Sequence, residues 1–285
     1  MKQSPLNQDT DGLNPQSDHL IHLKLSALKD YLDKLDNLIV AFSGGVDSAL
    51  LLKVAVDTMA ERVVAMTTTS ASLPQSEEGR CRQFALELGV EHYLIPSNET
   101  KDPNYAANPF NRCFYCKQSL FKVADSLKVK IGFNNLALGT NLDDLGDHRP
   151  GLKAAAEYGA LHPLVDAGFS KDDVRAAARL LGLEVWDQPS MACLSSRFPY
   201  GTSITDKKLE QIERAEALVH SLGFSNFRVR YHGDVARIEV SEEALIRIME
   251  PQIRTKLAAG MKALDFKYIS VDIEPFRSGR LNEII

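Results

Sequence analysis

Six residues, Ser43-Gly44-Gly45-Val46-Asp47-Ser48, bring two hydroxyls, two glycines and a carboxylate to the point where an apolar run gives way to a helical period. Gly44 and Gly45 lack a Cβ, so both can take positive φ and let backbone N–H groups approach a ligand. Those groups lie beside the unpaired donors of the next helix, whose dipole also favours an anion. Ser43 and Ser48 add hydroxyl donors, and Asp47 is placed to bind a cation or the edge of a nucleotide. Such a loop suits a polyphosphate. It is not a Walker loop, because no Gly-Lys-Ser/Thr follows, and G-x-G-x-x-G is missing too. A glycine-rich turn with no ligand is the bland alternative, and six ordered residues weigh against it.

Three carboxylates, Asp143, Asp144 and Asp147, fall within five residues after another apolar stretch. Magnesium takes oxygen ligands from one or two carboxylates and keeps water for the rest, so this turn suits a metal carried by phosphates. A solvated acidic turn is the competing reading. Cys113-x-x-Cys116 and Cys193 allow several chemistries. A redox pair would open a helix directly after a strand, whereas here a long polar segment precedes it. Zinc would want a fourth ligand, from His148 or His162. Three cysteines would hold three irons of a 4Fe–4S cluster and leave the fourth open for an added sulfide. Unligated thiols complete the set. Cys193 also stands in an arginine-flanked loop where a thiolate can act as a nucleophile. Cys81, on an expected helix, reads as structural.

The elements that must position these groups follow from periodicity. Leu38–Phe42, Val63–Thr68, His92–Ile95 and Asn135–Gly139 read as strands. His19–Leu35, Val46 to about Ala60, Ser76–Leu88, Gln118–Leu127 and Lys171–Leu181 read as helices, the last capped by Ser170 with Asp173 three residues on, close to a capping box. This alternation predicts an α/β fold with a doubly wound parallel sheet, whose ligands gather at the carboxyl ends of the strands. Ser97–Asn111 and Asp187–Gly201 read as functional loops. From about residue 203, a helix capped by Thr205, a hairpin (Asn226–Tyr231 with Val235–Val240), a helix (Glu242–Met249) and a strand (Tyr268–Val271) predict a smaller C-terminal α+β domain. The expected division is a disordered segment 1–18, an α/β domain 19–202 and a C-terminal domain 203–285.

The 285 residues suffice for a full core and two domains. With 33 basic and 38 acidic residues the net charge is −5, which disfavours a broad nucleic-acid face but leaves room for a small anionic substrate held by a few arginines. No apolar run approaches the roughly 20 residues that span a bilayer, so no membrane role is expected. The polar N-terminus lacks a signal-peptide core, which predicts a cytoplasmic protein. Four cysteines are too few for a disulfide scaffold in a chain of this length.

Ser-Gly-Gly-Val-Asp-Ser resembles the PP-loop of the ATP pyrophosphatases, which cleave ATP between its α and β phosphates and leave AMP on the substrate. Together with Gly139–Gly151 (GTNLDDLGDHRPG) and Cys193–Gly201 (CLSSRFPYG) it is similar to the LarE family, ATP-dependent sulfur transferases of nickel-pincer cofactor biosynthesis, over roughly residues 20–275. The resemblance implies Mg2+ and ATP as cofactors and a pyridinium mononucleotide as substrate. Its carboxylate would be adenylated and converted to a thiocarboxylate. It implies that Ser43, Gly44, Gly45, Asp47, Ser48 and Asp144 bind the nucleotide, with Asp147 on the metal. Ser196 and Arg197 match substrate-binding loop positions, and Arg228 and Arg230 match arginines that would hold the substrate phosphate. Glu216 and Glu239 match acidic positions near a metal or the substrate, with surface charge as the competing reading. In single-cysteine members the residue matching Cys193 gives up its own sulfur. The added Cys113 and Cys116 resemble three-cysteine members, which bind a 4Fe–4S cluster and turn over. A homo-oligomer is expected, and a sulfide-donor protein is a candidate partner. Rival readings are a tRNA thiolase, an ammonia-using ligase of the NAD-synthetase kind, and a nucleotide sensor without catalysis.

Overall fold

All four residues of the strand Leu38–Ala41 (β1) are buried, and the larger unit is built around it. The computed structural model describes residues 15–146, 150–188, 192–277 and 280. In it, β1 pairs in parallel with β2 (Val63–Thr69) on one side and β4 (Leu136–Leu138) on the other, while β3 (His92–Pro96) joins the far edge of β2. The order is β3-β2-β1-β4, all parallel. Helices follow in chain order: α1 (Pro15–Leu32), α2 (Val46–Met59), α3 (Gln75–Glu87), α4 (Pro103–Ala106), α5 (Arg112–Ile131) and α6 (Leu142–Leu145). They continue with α7 (Pro150–Tyr158), α8 (Pro163–Asp166) and α9 (Lys171–Leu180).

Alternate residues of β1 feed opposite faces. Leu38 and Val40 join Leu28 and Leu32 of α1, Leu50 and Leu51 of α2, and Val174 and Ala177 of α9. Ile39 and Ala41 join Phe121 and Ala124 of α5 and Ala154 and Ala155 of α7. Burial on both faces is why the strand reads as an unbroken apolar run, and each large side chain so buried contributes about 1.5–3 kcal/mol.

A smaller sheet follows. Thr205 caps α10 (Asp206–Ser221) by accepting the Lys208 N–H, at 3.3 Å. β5 (Arg228–His232) pairs antiparallel with β6 (Val235–Glu239), and β7 (Tyr268–Val271) pairs in parallel with β6. Between β6 and β7 lie α11 (Ala244–Ile248) and α12 (Pro251–Ala263). Leu209, Ile212, Ala215 and Val219 of α10 pack on Val229, Ala236 and Ile238 of this sheet. Tyr105, Leu194 and Phe198, which precede α10 in the chain, enter the same core.

The structure departs from the expected elements in identifiable places. The expected loop Ser97–Asn111 holds α4, where Asp102 accepts the Asn104 N–H at 2.9 Å and Pro103 occupies the first turn. The next helix starts at Arg112, not Gln118, so Cys113 and Cys116 lie in its first turns. Its opening residues are weak helix formers. They are held by the Arg112 guanidinium, which donates to Asn108 Oδ1 and, at 3.1 Å, to the Ser195 carbonyl. The helix expected over Glu242–Met249 is shortened, and a second one opens at Pro251, whose fixed φ suits a first helical turn. Residues 1–14 of the segment expected to be disordered lie outside the described residues, and α1 begins at Pro15.

Candidate active site

Gly44 alone of the two loop glycines takes positive φ, at 79°. Gly45 is the N-cap of α2 with φ −73° and ψ 156°, ordinary extended backbone, so its expected positive φ is not used. Ser48 closes the loop from inside: its hydroxyl donates to the Gly45 carbonyl at 3.0 Å and accepts the Ser43 N–H at 3.3 Å. Ser43 itself is exposed, and its hydroxyl lies 3.3 Å from the Ser48 hydroxyl. Beneath the loop lies Gly139, just past β4. A Cβ there would stand 2.6 Å from the Ser48 amide nitrogen and 2.9 Å from the Asp47 carbonyl carbon, so only glycine lets the two segments approach.

The acidic turn and the glycine loop are wired together. Asn141, 1% exposed, donates from Nδ2 to Asp47 Oδ1 at 2.9 Å, while its own Oδ1 accepts the N–H groups of Asp143 and Asp144. Asp144 returns the contact by accepting the Asn141 N–H at 3.0 Å, which completes a capping box. Lys171 bridges the remaining gap: its backbone N–H reaches Asp143 Oδ2 and its ammonium reaches Asp47 Oδ2, both at 2.5 Å. Asp147 lies outside the described residues. The sequence reading singled out neither Asn141 nor Lys171. Asn141 sits inside the segment that was singled out, but the pairing of Lys171 with Asp47 leaves no local signal.

The thiols come together from three directions. Leu194 donates its N–H to the Ser72 carbonyl at 2.8 Å, which docks the Cys193 loop just beyond the end of β2, the neighbour of β1. Glu99, buried after β3, accepts hydroxyls from Ser70, Ser72 and Ser97 and so ties two strand ends together beneath the thiols. Cys113 and Cys193 are exposed and Cys116 is partly buried. Burial pushes the Cys116 thiol up to about 12, with the charge of Glu99 and the Cys193 sulfur adding to the effect. Desolvation by the surrounding protein raises Cys113 as well, though the residue keeps contact with solvent, against a pull downward from the charge of Arg112. Each of these thiols feels the Cys193 sulfur, so the three share one neighbourhood. Among the described residues no three His, Cys, Asp or Glu side chains are positioned to hold a single metal ion. Cys81 is fully buried in the core on α3, as its structural reading expects.

Buried arginines hold the backbone of the Cys193 loop. Arg197 grips Glu216 with two nitrogens, at 3.0 and 2.9 Å, and turns its third to the carbonyls of Ala192 and Cys193, at 2.7 and 2.9 Å. Arg230 does the same with Glu239 and the Ser196 carbonyl. Arg112 takes the Ser195 carbonyl from the opposite side. Glu216 and Glu239, expected near a metal or the substrate, thus serve as partners of arginines, and Glu239 is completely buried beside Arg230 and Arg237. Arg228 differs. Its guanidinium donates to its neighbour's carbonyl at Phe227 and lies 4.7 Å over the Phe276 ring. Burial first, and then the positive charge of Arg197, push it down to about 10. A cation so crowded by other arginines makes a natural seat for an anion.

No family model matches the chain. The chain is 40% identical over 266 residues to an uncharacterized protein of Synechocystis sp., covering 93% of this chain and 99% of that one. It is 35% identical over 264 residues to the pyridinium-3,5-bisthiocarboxylic acid mononucleotide synthase of Lactiplantibacillus plantarum, covering 92% and 93%. An uncharacterized protein of Methanocaldococcus jannaschii is 28% identical over 258 residues, or 90% of this chain. Identity of 35% over nine-tenths of both chains settles the kinship: the chain belongs to the LarE family of sulfur transferases.

Proposed function

We propose that the chain uses ATP to adenylate a carboxylate of pyridinium-3,5-biscarboxylic acid mononucleotide and then exchanges the activated oxygen for sulfur, giving a thiocarboxylate. The observation that carries this reading is the docking of the Cys193 loop on Ser72, which opens a thiol site and the glycine loop onto the same edge of adjacent strands. Adenylation needs the phosphates held in line with the attacking carboxylate. The N–H groups around Gly44 and Gly45 and the Ser43 hydroxyl would hold them. Mg2+ would arrive with ATP and offset its charge, and Asp47 and Asp144 offer the oxygen chemistry it takes. The displaced group is AMP, and the sulfur that displaces it is handled at Cys193. Cys113 and Cys116 complete the thiol site. Cys113, Cys116 and Cys193, which share one neighbourhood, are the thiols that would hold a 4Fe–4S cluster and the sulfide it would supply, and no step is routed through one. Arg228 would hold the substrate's phosphate. No helix among the described residues is long and apolar enough to cross a membrane.

The reading is tested by substrate-dependent release of pyrophosphate from ATP. Wild type should form AMP and pyrophosphate only when the pyridinium nucleotide is present, and Asp47→Ala should not. Equal release with and without the pyridinium nucleotide would refute the reading.

A further inference from the structure

We infer that Lys171 is a further phosphate-binding residue of this site, supplying the positive charge that the glycine loop lacks and holding the β- and γ-phosphates of ATP. The inference rests on the proposed ATP-dependent reading and extends it to a residue 124 positions away from the loop.

Ser43–Ser48 contains no basic residue. Its donors are backbone N–H groups and hydroxyls, and one hydroxyl, that of Ser48, already serves the loop itself. ATP brings several negative charges, of which Mg2+ offsets two, and a loop with a neutral interior and a carboxylate at Asp47 is short of cations. Lys171 meets that need. Its ammonium ion-pairs with Asp47 Oδ2 at 2.5 Å and is still about a third exposed, with 30% of the side chain open to solvent. Its backbone is fixed independently, by Asp143 at its N–H and by the Ser170–Asp173 capping box. Asp173 is itself anchored to α1 through Lys24. The lysine is therefore held at its base and free to swing at its tip. When Mg2+ and phosphate arrive at Asp47, the ammonium can turn from the carboxylate to the phosphate oxygens, because a compact charge on a flexible stem needs no fixed fork.

In the chemical step, an oxygen of the substrate carboxylate forms a bond to the α-phosphorus as the bond from that phosphorus to the α,β-bridging oxygen breaks. The electron pair stays on that oxygen, and pyrophosphate leaves with it. Lys171 keeps its proton and offsets the charge that accumulates on the leaving group.

The test is equilibrium binding by titration calorimetry, with excess Mg2+, of ATP, inorganic pyrophosphate and AMP to wild type, Lys171→Met, Lys171→Gln and Lys171→Arg. Thermal melting of each variant is measured alongside. Loss of a charge-assisted contact to phosphate should weaken ATP and pyrophosphate about ten- to a hundredfold in the Met and Gln variants. AMP should bind as in wild type, and Lys171→Arg should recover most of the loss. Unchanged binding of ATP and pyrophosphate would overturn the inference. So would weakening of AMP in step with the others, which is what a lysine that merely props up Asp47 would give. If the Met variant does not fold, the Gln variant, which keeps a hydrogen-bond donor for Asp47, decides. Binding needs no sulfur acceptor, so wild type that binds ATP but makes no AMP with the pyridinium nucleotide would refute the proposed reaction and leave the Lys171 test standing.

Discussion

Gly139 lies directly beneath Ser48, so close that a Cβ on it would stand 2.6 Å from the Ser48 amide nitrogen. The approach joins the end of β4 to the first turn of α2 and seats the glycine loop against the sheet. Backbone cannot yield as a side-chain tip can. Gly139→Ala should therefore cost about 1–3 kcal/mol of stability and abolish pyrophosphate release. Gly79→Ala, in helix α3 with nothing within 4 Å of its Cβ, is the control and should melt no lower than wild type. A fully active Gly139→Ala would show that the loop does not depend on this approach.

Glu239→Gln tests the buried arginine cluster. The carboxylate has no solvent exposure, takes two hydrogen bonds from Arg230 and stands 3.1 Å from Arg237. Removing one partner of a buried ion pair leaves the other charge uncompensated, at a cost of about 3–5 kcal/mol. The urea midpoint should fall accordingly. A midpoint close to wild type would mean that water reaches these guanidinium groups.

Arg228→Ala should behave differently, because among the described residues the Arg228 guanidinium hydrogen-bonds only to a backbone carbonyl. Stability should change little, while the KM for the pyridinium nucleotide rises about ten- to a hundredfold and that for ATP stays near wild type. A rise in the KM for ATP would place Arg228 in the nucleotide site.

Acid sensitivity follows from the histidines. Burial holds His92, His162 and His232 below the ordinary imidazole range. The Thr67 hydroxyl donates to the Phe42 carbonyl at 2.6 Å, so the 2.8 Å contact of His92 Nε2 with Thr67 Oγ1 assigns the imidazole proton to Nε2. The unfolded chain protonates these rings near pH 6.5 and the folded chain only at lower pH. Stability from this source is thus complete above about pH 6.5 and is lost as pH falls through the folded values. Melting temperature followed from neutral pH to about pH 5 should fall, and more gently for His92→Gln than for wild type. Identical slopes would remove His92 from the account.

Much of this architecture was legible in the residues because it is local. The Leu38–Phe42 run, the glycines after it and the helical period from Val46 predict strand, loop and helix, and β1 and α2 lie there. Thr205 reads as a cap and is one. What was not legible depends on distant partners. The helix start at Arg112 is fixed by Asn108 and by a carbonyl at Ser195, 83 residues on, so local propensity places it late. The family resemblance implies that Arg197 and Arg230 bind substrate, yet the fold brings each to a glutamate and a loop carbonyl. Lys171 reads as an ordinary first-turn residue, since nothing near it announces Asp47.

The central claim is that activation and sulfur transfer are separate acts of one edge of the sheet, the first at the glycine loop and the second at Cys193. It is tested most directly by incubating wild type and Cys193→Ala with ATP, Mg2+ and pyridinium-3,5-biscarboxylic acid mononucleotide, then measuring AMP and the mass of the pyridinium product together. Wild type should form AMP and a product in which sulfur has replaced a carboxylate oxygen, while Cys193→Ala should form AMP and no sulfur-containing product. Sulfur in the product of Cys193→Ala, or no AMP from wild type, would contradict the account.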